Sequence, residues 1–368
     1  MERNNRPRIA IDTMGGDFGP RVMVPGALQA ARKQGIALRF VGNQELVRAE
    51  LVQHQHNDLD VGIVHAGDVA GMADKPSHIL RRKKDTSIQV AFALAKDQEV
   101  DGVVSAGHTG ATLACGMFAL GRIKGIERPG LATIMPRENK PLVIIDVGAN
   151  VDSKPRHLVQ FAIMAEALAA NVLKAPEPQI GILSIGEEQG KGNVQVNEAY
   201  GLLARTSMNF VGNVEGRDLF NGDVDIVVCD GFVGNVVLKL SEGLGSAFSN
   251  MLRTELGRGF WAKLGSMLAL PALKRFRRRL DYEEYGGAPL LGLNGVSFVC
   301  HGSSGTRAIR STVEMAGSFI RNRANDDIRN GLEAHPEITR FHRLKHILHT
   351  QSAGKGSNQN NDEPEDHA

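Results

Sequence analysis

The chain has 368 residues and nearly balanced charge, with 43 lysines and arginines against 41 aspartates and glutamates. This length is enough for a large core in one elaborate α/β domain or in two lobes, and a formal net charge of +2 gives no case for nucleic-acid binding. Because the sequence holds no apolar run of about eighteen residues and enters a strand almost at once, it predicts a cytoplasmic protein without a signal peptide or a membrane-spanning helix.

The three cysteines are not paired in the sequence, and metal-binding motifs are absent. Cys115, Cys229 and Cys300 lie in or beside apolar segments, and no two of them form a CxxC pair. This usage predicts small buried side chains in a reducing compartment. The sequence has no HExxH motif and no cluster of cysteine and histidine, so it predicts no metal site.

The N-terminal part alternates short apolar runs with helix-favouring segments. Strands are predicted at 8–12, 38–41 and 61–65, and helices at 20–33, 44–55 and 87–96. This βαβα order predicts a parallel sheet. Residues 72–84 are basic, and a solvated surface is slightly favoured there over attraction of an acidic partner or an anionic substrate.

Residues 101–117 carry the strongest local signal, which predicts a strand, a tight turn through Gly107 and a helix. Glycines let the backbone approach a ligand closely, and the first amides of a helix can hold an anion such as phosphate. Ser105, His108 and Thr109 would stand at the mouth of this turn. On the turn alone, packing and phosphate binding explain the pattern equally well.

The same pattern, an apolar run that ends in a glycine turn, recurs along the chain. It appears at 13–17, 147–150, 186–193, 231–235 and 301–305. Because the carboxyl ends of parallel strands share one edge of a sheet, where open α/β folds bind ligands, these turns predict one composite site. Further elements are predicted as a strand at 132–135 and as helices at 155–173, 193–205, 235–256, 303–323 and 326–349.

Three residues in these turns are candidates for catalysis. Lys191 lies between glycines, where a lysine can stabilise a phosphate or a developing oxyanion, although a solvated lysine on a loop is a serious competitor. Asp230 could orient a basic group or bind a metal, or simply stabilise its turn. Asn235 is expected at the start of the following helix, where capping is the default role and catalysis the weaker one.

Histidines and serines at the turns are candidates for proton transfer or ligand contact. His108 and His301 could each act as an acid or a base, because imidazole titrates near neutrality. Ser105, Ser303 and Ser304 lack a GxSxG elbow, so hydrogen bonds to a bound phosphate are preferred over a nucleophilic role.

The segment 258–280 is amphipathic and basic, and Pro271 is predicted to divide it into two short helices. It contains Trp261, the one tryptophan of the chain. Its basic residues include Lys263, Lys274, Arg275, Arg277, Arg278 and Arg279. Such a hairpin is typical of an interfacial membrane contact, and burial against another subunit explains the pattern equally well.

The last segment, residues 351–368, is polar and poor in aliphatic side chains. This composition predicts a disordered tail that is dispensable for chemistry. We therefore expect a single domain over residues 1–350.

Seven ordered motifs closely resemble the bacterial phosphate acyltransferase (PlsX) family of phospholipid synthesis. They are DTMGGD at 12–17, SAGHTGA at 105–111, GIERPGLATIMP at 125–136, DVGANVDSKP at 146–155, GEEQGKGN at 186–193, the segment 213–239 around DGFVGN, and the segment 285–304 that ends in CHGSS. The resemblance extends from about Arg8 to about Ile328. Thr13 stands where the family commonly has alanine, and His108 where asparagine is common, which argues against His108 as an obligatory acid or base.

The resemblance implies an enzyme that moves a long-chain acyl group from acyl carrier protein to inorganic phosphate, without a cofactor. It implies a three-layer α/β/α sandwich with a mostly parallel sheet, similar to phosphotransacetylase and the isocitrate dehydrogenases. It also implies a cytoplasmic homodimer that associates peripherally with the membrane. The acyl phosphate would pass to a membrane glycerol-3-phosphate acyltransferase, for lysophosphatidic acid and phospholipid synthesis.

Together, the motifs and the resemblance give a hypothesis for the site. Phosphate is expected against the amides and hydroxyls of Gly15, Gly16, Ser105, Gly107, His108 and Thr109, with His301 and Ser303 as further contacts. Lys191 would stabilise charge and Asn235 would supply a hydrogen bond, with Asp230 as a third catalytic candidate. The segment 258–280 would meet the acidic carrier or anionic lipid headgroups.

Three other functions remain open at this stage. The chain could be a transferase that uses acetyl coenzyme A, as in the fold relatives. It could be a dehydrogenase that depends on a metal and a nicotinamide, although it lacks a GxGxxG followed by a ribose-binding acid. It could also be a non-catalytic membrane scaffold that recruits enzymes of lipid synthesis.

Overall fold

The computed structural model describes residues 6–71, 73–137, 139–280 and 285–336, except the side chains of residues 82 and 277–280. The predicted tail at 351–368 lies outside the described residues, as does the predicted continuation of the last helix to residue 349. Apolar runs and their turns produce the strands, which are β1 (Arg8–Asp12), β2 (Ala37–Gly42), β3 (Val61–His65), β4 (Gly102–Ser105), β5 (Gly130–Met135), β6 (Leu142–Ile145), β7 (Ile180–Leu183), β8 (Phe210–Val214), β9 (Ile226–Val228), β10 (Ala288–Leu291) and β11 (Val296–Val299).

The helices alternate with these strands through most of the chain. They are α1 (Pro20–Gln34), α2 (Gln44–Leu51), α3 (Pro76–Arg82), α4 (Ser87–Lys96), α5 (Thr109–Ala119), α6 (Pro155–Val172), α7 (Val194–Leu203), α8 (Asp218–Asn221), α9 (Gly231–Leu256), α10 (Gly259–Leu280), α11 (Thr306–Arg321) and α12 (Ala324–Ala334). In the described part of the chain, no helix is long and apolar enough to cross a membrane.

The strands form one sheet in the order β3-β2-β1-β4-β11-β10-β5-β6-β9-β7-β8. Most neighbours are parallel, but the pairs β10/β11, β10/β5 and β5/β6 are antiparallel. The three reversals divide the sheet into two parallel blocks, β3 to β11 and β6 to β8, that run in opposite directions. The prediction that all the glycine turns share one edge of a single parallel sheet is therefore wrong.

Alternating side chains bury the two faces of this sheet in different cores. Ile9 and Ile11 of β1 pack on the face covered by α1, α6 and α11, whereas Ala10 faces α4 and α5. Farther along the sheet, Ile144 and Val227 belong to a third cluster, which the start of α9 covers. Helices thus cover both faces of a mostly parallel sheet, and the mixed α/β fold expected from the sequence is confirmed.

The structure corrects two helix predictions in the C-terminal half of the chain. Helix α9 begins at Gly231, four residues before the predicted start at Asn235. Helix α10 continues through Pro271 instead of breaking there. Proline removes one backbone hydrogen bond and usually bends a helix, but Pro271 is exposed and so leaves the freed carbonyl accessible to water. Together α9 and α10 form one long hairpin, called below the α9–α10 hairpin.

Candidate active site

A large cavity lies between the α9–α10 hairpin and the sheet, where the two parallel blocks meet. Its volume is about 1350 Å³, and its lining includes residues that follow β4, β6 and β11. The antiparallel strands β10 and β5 form the seam between the two blocks, and their pairing explains why both blocks line the cavity. Ala288 at the start of β10 pairs with Val299 at the carboxyl end of β11, and Ala132 near the start of β5 pairs with Ile145 at the carboxyl end of β6.

Most of the cavity wall is apolar. The hairpin contributes Leu238, Phe248, Leu252, Leu256, Leu270 and Leu273, and the sheet contributes Leu131 and Met135 of β5. Phe248 of α9 and Phe276 of α10 meet edge to face with ring centroids 6.5 Å apart, which joins the two helices above the cavity. An apolar cavity of this size exceeds the range of about 300–1,000 Å³ that drug-sized ligands need.

Polar side chains also line the cavity, and several of them lie close to the carboxyl ends of strands. Thr109 at the start of α5, Asn235 of α9, and His301 and Ser304 after β11 all line it. Of the residues that the sequence singled out at glycine turns, the structure therefore brings Thr109, Asn235, His301 and Ser304 to one cavity. Asn235 stands over the turn after β6, because a Cβ built on Gly148 would lie 3.5 Å from Asn235 Oδ1.

Asp230, not Asn235, caps helix α9, and this corrects the expected capping role of Asn235. The Asp230 carboxylate accepts hydrogen bonds from the amides of Phe232 and Val233, each at 2.9 Å. Asn235 lies a full turn into the helix, so its side chain is not used as a cap. Asp230 has a structural role in this arrangement, whereas Asn235 points its amide group toward the turn at Gly148.

A buried aspartate at the end of β6 holds the turn that Asn235 faces. Asp146 accepts hydrogen bonds from the amides of Leu131, Gly148, Ala149 and Asn150 at 2.7 to 3.1 Å. Burial raises the pKa of Asp146, and these hydrogen bonds counteract the rise. The side chain therefore joins the start of β5 to the turn after β6.

The turn after β4 is organised in the same way by Asp12 at the end of β1. Ser105 donates its hydroxyl proton to Asp12 Oδ2 at 2.7 Å and accepts from the amide of Gly107 at 3.0 Å. Both residues are buried, and burial raises the pKa of Asp12 while hydrogen bonds from Ser87 and Ser105 lower it. The Ser105 hydroxyl is therefore occupied by hydrogen bonds within the turn.

The turns after β1, β4 and β11 pack against one another. A Cβ on Gly15 would lie 2.6 Å from Gly107 N, and one on Gly16 would lie 3.0 Å from Gly302 O, so only glycine fits these close approaches. The amide of Asp17 donates to Gly302 O at 2.8 Å. Among the described residues that line the cavity, Gly15, Gly16 and Gly107 do not appear.

The two histidines at glycine turns have different surroundings. His108 caps helix α5, since its Nδ1 accepts from the amide of Ala111 at 3.2 Å. His301 lines the cavity, and its Nδ1 lies 2.7 Å from Ser303 Oγ and accepts from the amide of Ser303 at 3.2 Å. A backbone N–H can only donate, so Nε2 of His301 carries the proton in the neutral ring.

Lys191 lies on an exposed loop after β7 and is not one of the described residues that line the cavity. Its side chain folds back over Gly186, where a Cβ would lie 3.0 Å from Lys191 Cγ. The cysteines are buried, as predicted, and burial raises the pKa of both Cys115 and Cys300 to about 12. Within the described residues, no group of three histidine, cysteine, aspartate or glutamate side chains is arranged to hold a metal ion.

The α9–α10 hairpin exposes a large apolar surface away from the cavity. Trp261 and Leu268 are each 79 % exposed, and Trp261 stacks edge to face with Phe260. Lys263 and Lys274 are exposed and also line the cavity. Arg275 is exposed as well, whereas the side chains of Arg277, Arg278 and Arg279 lie outside the described part of the structure.

Sequence reasoning missed the apolar wall of the cavity. It singled out no residue of β5 as part of a site, and it missed Phe220 of α8, which also lines the cavity. A usable signal was present in α9, where Leu238, Phe248, Leu252 and Leu256 recur at multiples of three to four residues on one helix face.

A family model and curated relatives each match most of this chain. A family model described as "Fatty acid synthesis protein" matches residues 7–326. A phosphate acyltransferase from Nitratidesulfovibrio vulgaris is 56 % identical over 338 residues, which are 92 % of this chain and 98 % of the relative. A phosphate acyltransferase from Geobacter sulfurreducens is 50 % identical over 326 residues, or 89 % of this chain and 94 % of the relative.

Solved structures share the fold at low sequence identity. A phosphotransacetylase from Streptococcus pyogenes has a TM-score of 0.57 at 20 % identity, covering 85 % of this chain and 94 % of that one. A branched-chain phosphotransacylase from Enterococcus faecalis V583 has a TM-score of 0.52 at 15 % identity, covering 85 % and 99 %. The phosphotransacetylase-like fold expected from the sequence is confirmed.

Proposed function

Since the chain belongs to the phosphate acyltransferase family, we propose that it transfers a long-chain acyl group from acyl carrier protein to inorganic phosphate. The products are an acyl phosphate, which supplies lysophosphatidic acid and phospholipid synthesis, and the free carrier thiol. The observation that carries this proposal is the cavity of about 1350 Å³, whose wall is mostly apolar and also holds the polar side chains of Thr109, Asn235, His301 and Ser304. An acetyl group would leave most of this cavity empty, so the apolar volume favours a long-chain donor over acetyl coenzyme A.

Phosphate binds beside Thr109, His301 and Ser304 in this proposal. Helix α11 begins at Thr306 after Gly305, which offers no side-chain cap, and Ser304 and His301 stand beside this helix start. Thr109, which also lines the cavity, opens helix α5 after β4, and β4 is the parallel neighbour of β11. The first amides of both helices attract an anion. The turns that hold Gly15, Gly16, Ser105, Gly107, His108 and Ser303 keep these helix starts together.

The reaction then forms one bond and breaks one bond. An oxygen of hydrogen phosphate attacks the thioester carbon, and the carbonyl oxygen gains negative charge. The carbonyl then re-forms as the carbon–sulfur bond breaks, and the leaving carrier thiolate takes up the proton that the phosphate loses. Asn235 donates its amide hydrogen to the developing oxyanion, and each such donor contributes a rate factor of about 10²–10³. Lys191 stabilises charge from the loop after β7, and Asp230 fixes the start of α9 so that Asn235 is correctly oriented.

The α9–α10 hairpin meets the acyl carrier and the membrane in this proposal. Carrier protein and anionic lipid are both acidic, and Lys263, Lys274 and Arg275 offer positive charge beside the cavity. Exposed Trp261 and Leu268 supply apolar surface of the kind that marks interfaces with lipid or protein. We further propose a cytoplasmic homodimer that touches the membrane peripherally and passes acyl phosphate to a membrane glycerol-3-phosphate acyltransferase.

The test of the reaction is mass-spectrometric detection of acyl phosphate from purified protein, palmitoyl acyl carrier protein and phosphate. Phosphate-dependent product is expected from the parent, with kcat at least about 10²-fold lower in Asn235→Ala and in Lys191→Ala. Lys96→Ala, on the surface at the end of α4, is the control for loss of a lysine. Product from Lys191→Ala at the parent rate would remove Lys191 from the chemistry, and no product from folded parent would refute the enzyme assignment.

A second test concerns the hairpin. The triple variant Lys263→Ala, Lys274→Ala and Arg275→Ala should raise KM for the acyl carrier and weaken binding to anionic liposomes, because both depend on positive charge. Trp261→Ala should weaken binding to neutral liposomes as well, since it removes apolar contact. Unchanged KM and unchanged liposome binding in the triple variant would contradict the assignment, and light scattering on the parent gives the oligomeric state.

A further inference from the structure

The basic segment 72–84 has no part in the site described above. It holds five lysines and arginines against one aspartate, and helix α3 runs through it from Pro76 to Arg82. Lys75, Arg81 and Lys84 are all exposed. Among the described residues, no carboxylate forms an ion pair with any of the three, whereas Lys83 is paired. Lys75, Arg81 and Lys84 are called below the α3 cations.

The aspartates beside this segment are already engaged by other groups. Lys83 Nζ lies 3.4 Å from Asp68 Oδ1 and 3.1 Å from Asp74 Oδ2, so one lysine serves both carboxylates. Asp85 accepts a hydrogen bond from the amide of Gly67 at 2.7 Å. The charge that this surface offers to a partner is therefore mainly that of the α3 cations.

Helix α3 is packed against helix α5 and held by helix α4. Ile79 is fully buried and shares a hydrophobic cluster with Ala111 and Cys115 of α5. The side-chain amide of Gln89, in α4, donates to the carbonyl oxygens of Ile79 and Lys83 at 3.2 and 2.8 Å. The α3 cations are therefore carried by a packed element, which holds them in one place relative to α5.

The start of α3 lies beside the cavity. A Cβ built on Gly110 would lie 3.0 Å from Pro76 Cγ. Thr109, the residue before Gly110, lines the cavity and is one of the proposed phosphate contacts. Lys75 directly precedes Pro76, so the exposed positive charge begins next to the cavity wall at Thr109.

Resting on the proposed function, we propose that the α3 cations form a docking surface for the acyl carrier protein. The carrier is acidic, so its carboxylates are attracted to Lys75, Arg81 and Lys84, and several such pairs together steer and orient a partner. A carrier docked on α3 stands beside Thr109, where its thioester enters the cavity near the bound phosphate. The α3 surface adds a second contact for the carrier to the one proposed on the α9–α10 hairpin.

The test is direct binding of palmitoyl acyl carrier protein to the full chain, measured by isothermal titration calorimetry without phosphate. The triple variant Lys75→Ala, Arg81→Ala and Lys84→Ala should raise Kd about 10-fold at low ionic strength, because three exposed ion pairs together contribute about this factor. The difference should shrink at high ionic strength, since salt screens exposed charges. All three side chains are exposed, so this variant should fold.

The matched control removes the same charge from exposed positions on other elements. It is the triple variant Arg48→Ala, Lys96→Ala and Arg205→Ala, on α2, at the end of α4 and after α7. The control should bind the carrier as the parent does. In turnover, the α3 variant should raise KM for the acyl carrier and leave KM for phosphate at the parent value.

The outcomes separate this proposal from the proposed function. If the α3 variant binds the carrier as tightly as the control does, the docking surface is refuted. A raised KM for phosphate with unchanged carrier binding would also refute it, and would assign the α3 cations to the inorganic anion. If the parent binds the carrier through these residues but forms no acyl phosphate, the proposed function fails and the docking surface stands.

Discussion

Gly234 offers a sharp test of how helix α9 positions Asn235. A Cβ added to Gly234 would lie 1.9 Å from Asp146 O and 2.9 Å from Cys229 Sγ. Non-bonded carbon and oxygen atoms need about 3.5 Å. The substitution Gly234→Ala must therefore move the start of α9 away from the turn after β6 by about 1.6 Å, and Asn235, the next residue, must move with it.

The expected change in the free energy of unfolding follows from two opposing effects. Alanine is a better helix former than glycine by about 1 kcal/mol, which would stabilise the variant if the site were open. Overpacking against backbone costs about 1–3 kcal/mol, and the Asp146 carbonyl is held by the strand and turn hydrogen bonds around it. We expect Gly234→Ala to lower the free energy of unfolding by about 0–2 kcal/mol and, because a misplacement of about 1 Å costs about 10²-fold, to lower kcat by that factor.

The same helix provides the control. A Cβ on Gly243 meets no atom within 4 Å, so Gly243→Ala should gain up to about 1 kcal/mol of stability and keep its activity. Urea denaturation followed by circular dichroism gives the two stabilities, and detection of acyl phosphate gives the two rates. If Gly234→Ala is as stable and as active as Gly243→Ala, the close packing of α9 on the turn after β6 does not matter, and our account of Asn235 is wrong.

Three further predictions concern pH, capping and thiol reactivity. Burial lowers the pKa of His157, so its contribution to stability is present above about pH 6.5 and is lost as pH falls through the lowered pKa; melting temperature should fall less between pH 7.5 and 5.5 in His157→Gln than in the parent. Asp230→Ala should destabilise the protein by about 1–2 kcal/mol in urea denaturation, whereas Asp230→Asn, an equally good cap, should keep the parent stability. Because burial raises the pKa of Cys115 and Cys300 to about 12, iodoacetamide at pH 8 should label neither in native protein and both after unfolding, as read by mass spectrometry.

Local elements of the fold were predictable because their signals are contained in short stretches of sequence. Strand β3 and helix α4 have the predicted bounds. The start of α4 is fixed by Thr86, whose side chain accepts from the amide of Gln89 in a capping box. An apolar run bounded by turn residues leaves little freedom in where a strand lies.

The reversal at the centre of the sheet was not predictable from such signals. Strands β5 and β6 are joined by a short connection and pair antiparallel, from Ala132 with Ile145 to Met135 with Leu142. Strand β10 then pairs antiparallel with β5 and β11, although more than a hundred residues separate β10 from β5 along the chain. Periodicity indicates that a run is a strand, but it does not indicate which distant strand becomes its neighbour or in which direction.

The same lack of strand order explains what was right and wrong about the site. Asn235 reaches the cavity because α9 passes over the seam between β5 and β6. The start of α9 is held there, since the amide of Gly231 donates to the carbonyl oxygen of Asn150 at 2.9 Å. Lys191 follows β7, which is separated from β6 by β9, so its loop starts about 10 Å farther from the seam. Two residues that looked alike, each beside a glycine turn at a strand end, therefore lie in different places. Strand order puts Asn235 on the cavity wall and Lys191 outside the described lining of the cavity, so the Asn235 and Lys191 variants must be measured separately.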